Sequence, residues 1–226
     1  CERLLRWAAD QGALGLDQVA VAMFEKAGHP VRGLAARSDI VGPILLPRSL
    51  LLIADSEEEL AIKVAIERAK GPDSFWAPWV RILPMPEELH DSSVLCAERA
   101  LLDAFEALPV VDKVERWHVE VRERWRANRG RWRARARAEG AAGLTLADFR
   151  WASTVVQSRL FPPPPVYCCM PIADMMNAAP SPNMEVFDCL ETDTTGAAEF
   201  YGLLPIDGAA IRAGEELSQA YRPVDN

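Results

Sequence analysis

The spacing of apolar residues along the chain changes period several times. Leu4, Leu5 and Ala8 share one face of a helix expected over residues 2–9, which Gly12 and Gly15 break. Short apolar or β-branched runs follow at 19–24, 34–36 and 40–46. Gly28-His29-Pro30 and Gly42-Pro43 separate them, a pattern of small strands joined by tight turns. Ser56 and Glu59 form a capping box that opens a helix to Lys70, stopped by Gly71-Pro72. Residues 76–84, with Trp76, Trp79 and Pro84, read as irregular. A helix capped by Asp91 or Ser93 is then predicted to reach Leu108 and to end at Pro109.

From Lys113 onward Val114, Trp117, Val121, Trp125 and Trp132 fall on one helical face, with arginine covering the rest. Tryptophan at this spacing reads as the buried stripe of a helix with a solvated basic back, in preference to a surface that stacks nucleic-acid bases. Gly140 and Gly143 mark a boundary. Thr145 and Asp148 then cap a helix through Arg159, which the prolines at 162–165 must end. Beyond them the pattern is strand-like at 184–190 and 199–204, with a turn at Asp207-Gly208. A last strand spans 211–221 and carries a turn at Ala213-Gly214. The layout of β pieces, helical block and β pieces lacks alternating βαβ units and a glycine-rich phosphate loop, so neither a Rossmann fold nor a P-loop is supported.

Composition narrows the function classes. In 226 residues, 50 % are hydrophobic and no run approaches ~20 uninterrupted apolar positions, which fits one globular domain, or one with a sizeable insertion, and no membrane span. The net charge of −8 argues against whole-surface binding to nucleic acid or to an anionic membrane. That average hides a segregation: residues 116–137 hold nine arginines against Glu120 and Glu123, and the remainder carries 16 basic against 31 acidic residues. Cys1, Cys96, Cys168, Cys169 and Cys189 form no C-x-x-C pair, which suits a reducing, intracellular compartment, with cytoplasm, nucleus and plastid all open. The chain opens at Cys1 rather than Met and shows no apolar secretory segment. His29, His90 and His118 are not at metal-ligand spacing, and no G-x-S-x-G, H-E-x-x-H or Cys–His arrangement is present, so no metal is expected.

Four segments carry a resemblance when taken in order: residues 32–40, opening Arg32-Gly33-Leu34; residues 149–161, from Phe149-Arg150-Trp151 to Ser158-Arg159-Leu160-Phe161; residues 171–177, ending Asp174-Met175-Met176-Asn177; and Gly214-Glu215-Glu216-Leu217 with Tyr221. The chain resembles SET-domain protein methyltransferases of the Rubisco large-subunit lysine methyltransferase-like branch, over essentially its whole length. The resemblance implies an α+β fold of small β-sheets with a C-terminal pseudoknot. The last segment would be threaded under the Asp174–Asn177 loop, and a mostly helical insertion would interrupt the domain. The expected segmentation is 1–71 and 146–226 for the two parts of the SET domain and 72–145 for the insertion. It also implies that the chain ends before a helical substrate-binding domain.

The same resemblance implies S-adenosylmethionine as cofactor and the lysine of a substrate protein as methyl acceptor; with the charge balance above, no specific nucleic acid and no membrane partner are expected, and a monomer is expected. Val31, Arg32 and Gly33 would line the methionine part of the cofactor, where the missing Cβ of glycine suits close backbone approach. Arg159 would pair with the cofactor carboxylate. Asp174, Met175, Met176, Asn177 and Ala178 would hold its amino group and adenine. Tyr221 would be catalytic, and Phe161 a wall of the substrate channel. Two positions depart from the family pattern: Ala178 stands where a histidine is usual, and Arg222 where glycine commonly follows the tyrosine. Two alternatives stay open, a catalytically impaired SET homologue acting as a protein-binding module and a protein-histidine methyltransferase. Phe161 argues modestly against the latter, because it offers an imidazole no hydrogen bond.

Overall fold

The N-terminal apolar runs pair into a hairpin, β1 (Val19–Lys26) with β2 (His29–Ala36), in register from Val19↔Ala36 to Lys26↔His29. Its turn is Ala27-Gly28, both at positive φ (52° and 80°), the two-residue form whose twist matches the strands it joins. His29 and Pro30 therefore belong to the strand rather than to the separator expected from sequence. Pro30 opposes Glu25, one pair beyond the closing pair, where its nitrogen faces away from β1 and no ladder bond is lost.

The computed structural model describes residues 2–97, 99–104, 108–141, 143–161, 167–189 and 200–220. In chain order, helix α1 (Glu2–Asp10) precedes β1 and β2, and β3 (Ile44–Pro47) and β4 (Leu52–Ala54) follow them. Six helices come next: α2 (Glu57–Lys70), α3 (Ala77–Val80), α4 (Pro86–Ser92), α5 (Arg99–Ala104), α6 (Pro109–Ala138) and α7 (Leu146–Arg159). The remaining strands are β5 (Leu160–Phe161), β6 (Tyr167–Cys169), β7 (Asn177–Ala178), β8 (Met184–Cys189), β9 (Phe200–Pro205) and β10 (Glu216–Gln219).

The chain divides into two units, one of Cys1–Leu51 with Met170–Asn226, the other of Leu52–Cys169. Within the second unit α2 and α7, which flank the helical block in sequence, pack on each other.

The first unit holds two sheets. One has the order β1-β2-β10-β7, with β10 antiparallel to β2 (Glu216↔Ala35, Leu217↔Leu34) and parallel to β7 (Ser218↔Asn177, Gln219↔Ala178). The other has the order β3-β9-β8. A strand from near the end of the sequence thus lies between the N-terminal hairpin and the Asn177 strand. An Ile40↔Ile211 bridge and a clasp in which Asp39 accepts from Arg212 Nη1 (2.8 Å) and from the Ala213 amide (3.0 Å) hold the turn leading into β10.

The second unit pairs a small sheet, β4-β6-β5, with the helices. Thr145 and Asp148 cap α7 reciprocally, as the sequence predicts. Along α6, Val111, Val114, Val121, Trp125, Trp132 and Ala136 are buried, and Trp132 packs on Phe149 of α7 at 4.7 Å between ring centres. The indole of Trp151 donates to the Pro84 carbonyl (2.9 Å) beneath the guanidinium of Arg68. Ser56 caps α2 by accepting from the Glu59 amide (3.2 Å), while the Glu59 carboxylate accepts from Arg135 of α6.

Two expectations fail here. Residues 76–84 are not wholly irregular, since α3 forms around the buried Trp79. The single helix expected from Asp91 or Ser93 to Leu108 is instead α4, a 3₁₀ turn at Val94–Cys96, and α5. Pro86 starts α4, with the Met85 amide donating to the Glu88 carboxylate (2.6 Å), and Ser93 leaves the helix in an extended conformation. Pro109 opens α6 instead of ending its predecessor, because a first-turn position needs no amide hydrogen.

Candidate cofactor-binding site

The sheet of the first unit gathers the residues singled out around Gly33 and Asn177. Asn177 in β7 donates its Nδ2 twice, to the Arg32 carbonyl (3.2 Å) and to Glu216 Oε1 (2.7 Å). Both partners are acceptors, so the orientation of the amide is fixed: nitrogen toward the sheet and Oδ1 away from it. Glu216 also pairs with Lys26 Nζ (3.1 Å), and the same ammonium reaches the Ala178 carbonyl (3.5 Å). A cation, a carboxylate and an amide thereby tie the ends of β1, β10 and β7 together beside β2.

Gly33 is buried, and a Cβ placed on it would lie 2.6 Å from Asn177 Nδ2 and 3.1 Å from the Phe24 ring. The space that glycine leaves is taken up by the Asn177 amide and the Phe24 ring. Val31 and Arg32 are half-buried on the same strand, opposite Phe24 and Met23.

The loop before β7 is held by strain as well as by burial. Ile172, fully buried, has φ 78° and ψ −61°, a rare turn conformation for a β-branched residue that costs about 1–3 kcal/mol. It directs the chain into a 3₁₀ turn, Ala173–Met175, where the Asp174 amide donates to the Met170 carbonyl (3.0 Å) and the Met175 amide to Ile172 (3.0 Å). Asp174, Met175 and Met176 are buried, whereas Ala178 is exposed. Beyond β7, Asn183 bridges to β10. It donates Nδ2 to the Glu216 carbonyl (2.8 Å) and accepts through Oδ1 from the Ser218 amide (2.8 Å).

Arg159 and Phe161 belong to the second unit. Arg159 is half-buried at the last residue of α7. Phe161, also half-buried, pairs with Cys168 across β5 and β6, and its carbonyl accepts from the Cys168 thiol (3.3 Å). Tyr221 and Arg222 lie outside the described residues. Among the described residues no cluster of His, Cys, Asp or Glu is placed to hold a metal, and no helix is long and apolar enough to cross a membrane.

No protein-family model matches the sequence, and no curated protein matches it. Solved structures do. The SET domain of LSMT bound to lysine and AdoHcy superposes with a TM-score of 0.76 at 16 % identity, covering 99 % of this chain and 54 % of that one. The fold is a SET domain. Rubisco LSMT bound to AdoMet gives a TM-score of 0.76 at 16 % identity over 99 % of this chain and 53 % of its own. Rubisco LSMT bound to sinefungin and monomethyllysine gives 0.74 at 18 %, over 99 % and 52 %. The chain therefore spans about half the length of the structures it matches.

Within the SET fold, the chemistry of the site suits a cofactor that carries an ammonium. Asn177 is half-buried in an edge strand, and with its Nδ2 committed to two acceptors its Oδ1 remains as an acceptor. Lys26, Glu216 and Asn183 are neighbours of this cluster that the sequence did not single out. Glu216 was visible as part of the Gly-Glu-Glu-Leu segment, but its two partners come from residues 26 and 177 and leave no local signal.

Proposed function

We propose that the chain is the SET domain of an S-adenosylmethionine-dependent protein-lysine N-methyltransferase. The observation that carries this reading is the sheet order β1-β2-β10-β7. It brings the Gly33 strand, the Asn177 strand and the segment leading into Tyr221 together, in a fold shared with structures that hold AdoMet and lysine.

When bound, S-adenosylmethionine supplies a methyl group made electrophilic by a sulfonium. The residues of this chain have four tasks around it. Asn177 Oδ1 accepts from the cofactor's ammonium, and the strained turn at Ile172 fixes the backbone that presents it. Arg159 would offer its guanidinium fork to the cofactor's carboxylate. Phe161 walls an apolar passage, which favours the neutral form of a lysine amine whose ordinary pKa is about 10.4. Tyr221 orients that amine through its hydroxyl, an interaction that matters most when nitrogen, methyl and sulfur are in line.

Calorimetry with S-adenosylmethionine, followed by transfer of labelled methyl to free lysine and to lysine-containing proteins, tests the reading. Binding and transfer are expected, and Tyr221→Phe should slow transfer at least ~10-fold while leaving cofactor affinity nearly unchanged, as for one transition-state hydrogen bond. An intact fold that binds no cofactor would overturn the proposal. Cofactor binding without transfer to any acceptor would favour the protein-binding module, and methyl found on histidine would favour the third reading.

A further inference from the structure

The helical unit carries a charged concavity that methyl transfer does not use. A cavity of about 450 Å³ is lined among the described residues by Arg122, His118 and Arg150, with Ala97, Leu102 and Val119 as its apolar part. Glu115 is the one carboxylate among those linings. The Nε of Arg150 is buried and has no hydrogen-bond partner among the described residues. Burial first, then the charges of Arg150 and Arg122, hold His118 below its ordinary 6.5 against the opposing pull of Glu115.

Arg122 also begins a row. Steps of four, three and four residues put Arg126, Arg129 and Arg133 on the same helical face, spanning about 16 Å at 1.5 Å per residue. Arg126 and Arg129 are exposed, and among the described residues neither makes an ion pair. Arg124, by contrast, pairs with Glu120 away from the row.

We propose that this cavity and arginine row bind an acidic segment of a partner protein, one carboxylate and a neighbouring aliphatic side chain seated in the cavity and further carboxylates along Arg126 and Arg129. Guanidinium forks match carboxylates in pairs, and Ala97, Leu102 and Val119 suit an aliphatic side chain. A nucleic acid fits less well. No exposed aromatic side chain of α6 stands ready to stack a base, and the apolar part of the cavity has no counterpart on a phosphodiester backbone.

The test is fluorescence anisotropy on the full chain with a labelled dodecapeptide of alternating Glu and Leu, compared with a Lys/Leu dodecapeptide and a single-stranded RNA dodecanucleotide. The Glu/Leu peptide should bind in preference and more weakly at higher salt. Arg122→Glu and Arg126→Glu should each lose roughly 10-fold in affinity, while Arg131→Glu, exposed but off the row, should change it less than about 2-fold. Cofactor binding by these variants should stay as in the wild type, which separates this proposal from the methyltransferase reading. Tighter binding of RNA with the same arginine dependence, equal losses from Arg131→Glu, or no saturable binding of the Glu/Leu peptide to the wild type would each overturn it.

Discussion

Asn177 and Gly33 are one fitted pair: the amide nitrogen of the first occupies the place where the second would carry a side chain, 2.6 Å from an ideal Cβ. The clamp that fixes Asn177 therefore depends on a glycine 144 positions earlier in the chain, on a strand that β10 separates from β7.

Gly33→Ala should displace the Asn177 amide from the Arg32 carbonyl and Glu216, costing about 1–3 kcal/mol of stability. The same substitution in an Asn177→Ala background should cost less, because the conflicting atom is gone. A double-mutant cycle by urea denaturation measures the coupling, and additive losses would show that Phe24, not Asn177, sets the limit.

Arg159→Ala should weaken S-adenosylmethionine binding by about 1.5–3 kcal/mol, the range for hydrogen bonds to charged groups, with the fold retained. Arg159→Lys should recover only part of the loss, since an ammonium lacks the planar fork. Calorimetry with an unchanged far-ultraviolet circular dichroism spectrum is the check. Wild-type affinity in both variants would remove Arg159 from the site.

Asn183→Ala should destabilise the protein by about 2 kcal/mol. The side chain satisfies the Glu216 carbonyl and the Ser218 amide in a part-buried setting, and alanine leaves both to find other partners. The midpoint of chemical denaturation reports it. Asn183→Asp keeps the acceptor for Ser218 but sets a carboxylate oxygen against the Glu216 carbonyl at neutral pH, so it should not restore wild-type stability.

Asp39 provides a pH-dependent contact. Its bond from the Ala213 amide, and then that from Arg212, hold the carboxyl below its ordinary 3.8. For a depressed carboxyl the stabilisation is present above the ordinary value and is lost as pH falls through the lower value of the folded state. Asp39→Asn should therefore melt at a lower temperature than wild type near pH 7, and the gap should close as the pH drops below 3.8. A gap that persists in acid would mean the clasp acts through geometry alone.

Local signals in the sequence were read correctly where the chemistry is local. The Thr145 and Asp148 cap fixes the start of α7, and the apolar stripe of α6 predicts most of its buried face, Trp117 alone of that stripe staying half-buried, because both are set by residues within a few turns of each other. Pro109 misled because proline suits both the end of one helix and the first turn of the next, and only the surrounding packing decides. The site was legible as types of residue and not as contacts. Lys26, Asn177 and Glu216 meet only after three distant strands have paired, and the turn at Ile172 uses a residue type that no turn rule would select.

The position of β10 also sets an order of assembly. The helical unit is one continuous stretch, Leu52–Cys169, so all of its contacts are available as soon as that stretch has left the ribosome. The sheet around Asn177 must wait for residues 216–219, and until they arrive β2 presents an unpaired edge next to a finished hairpin. Synthesis thus leaves the sheet around Asn177 open longest, and the interval before β10 docks is when the edge of β2 is most exposed to pairing with other chains.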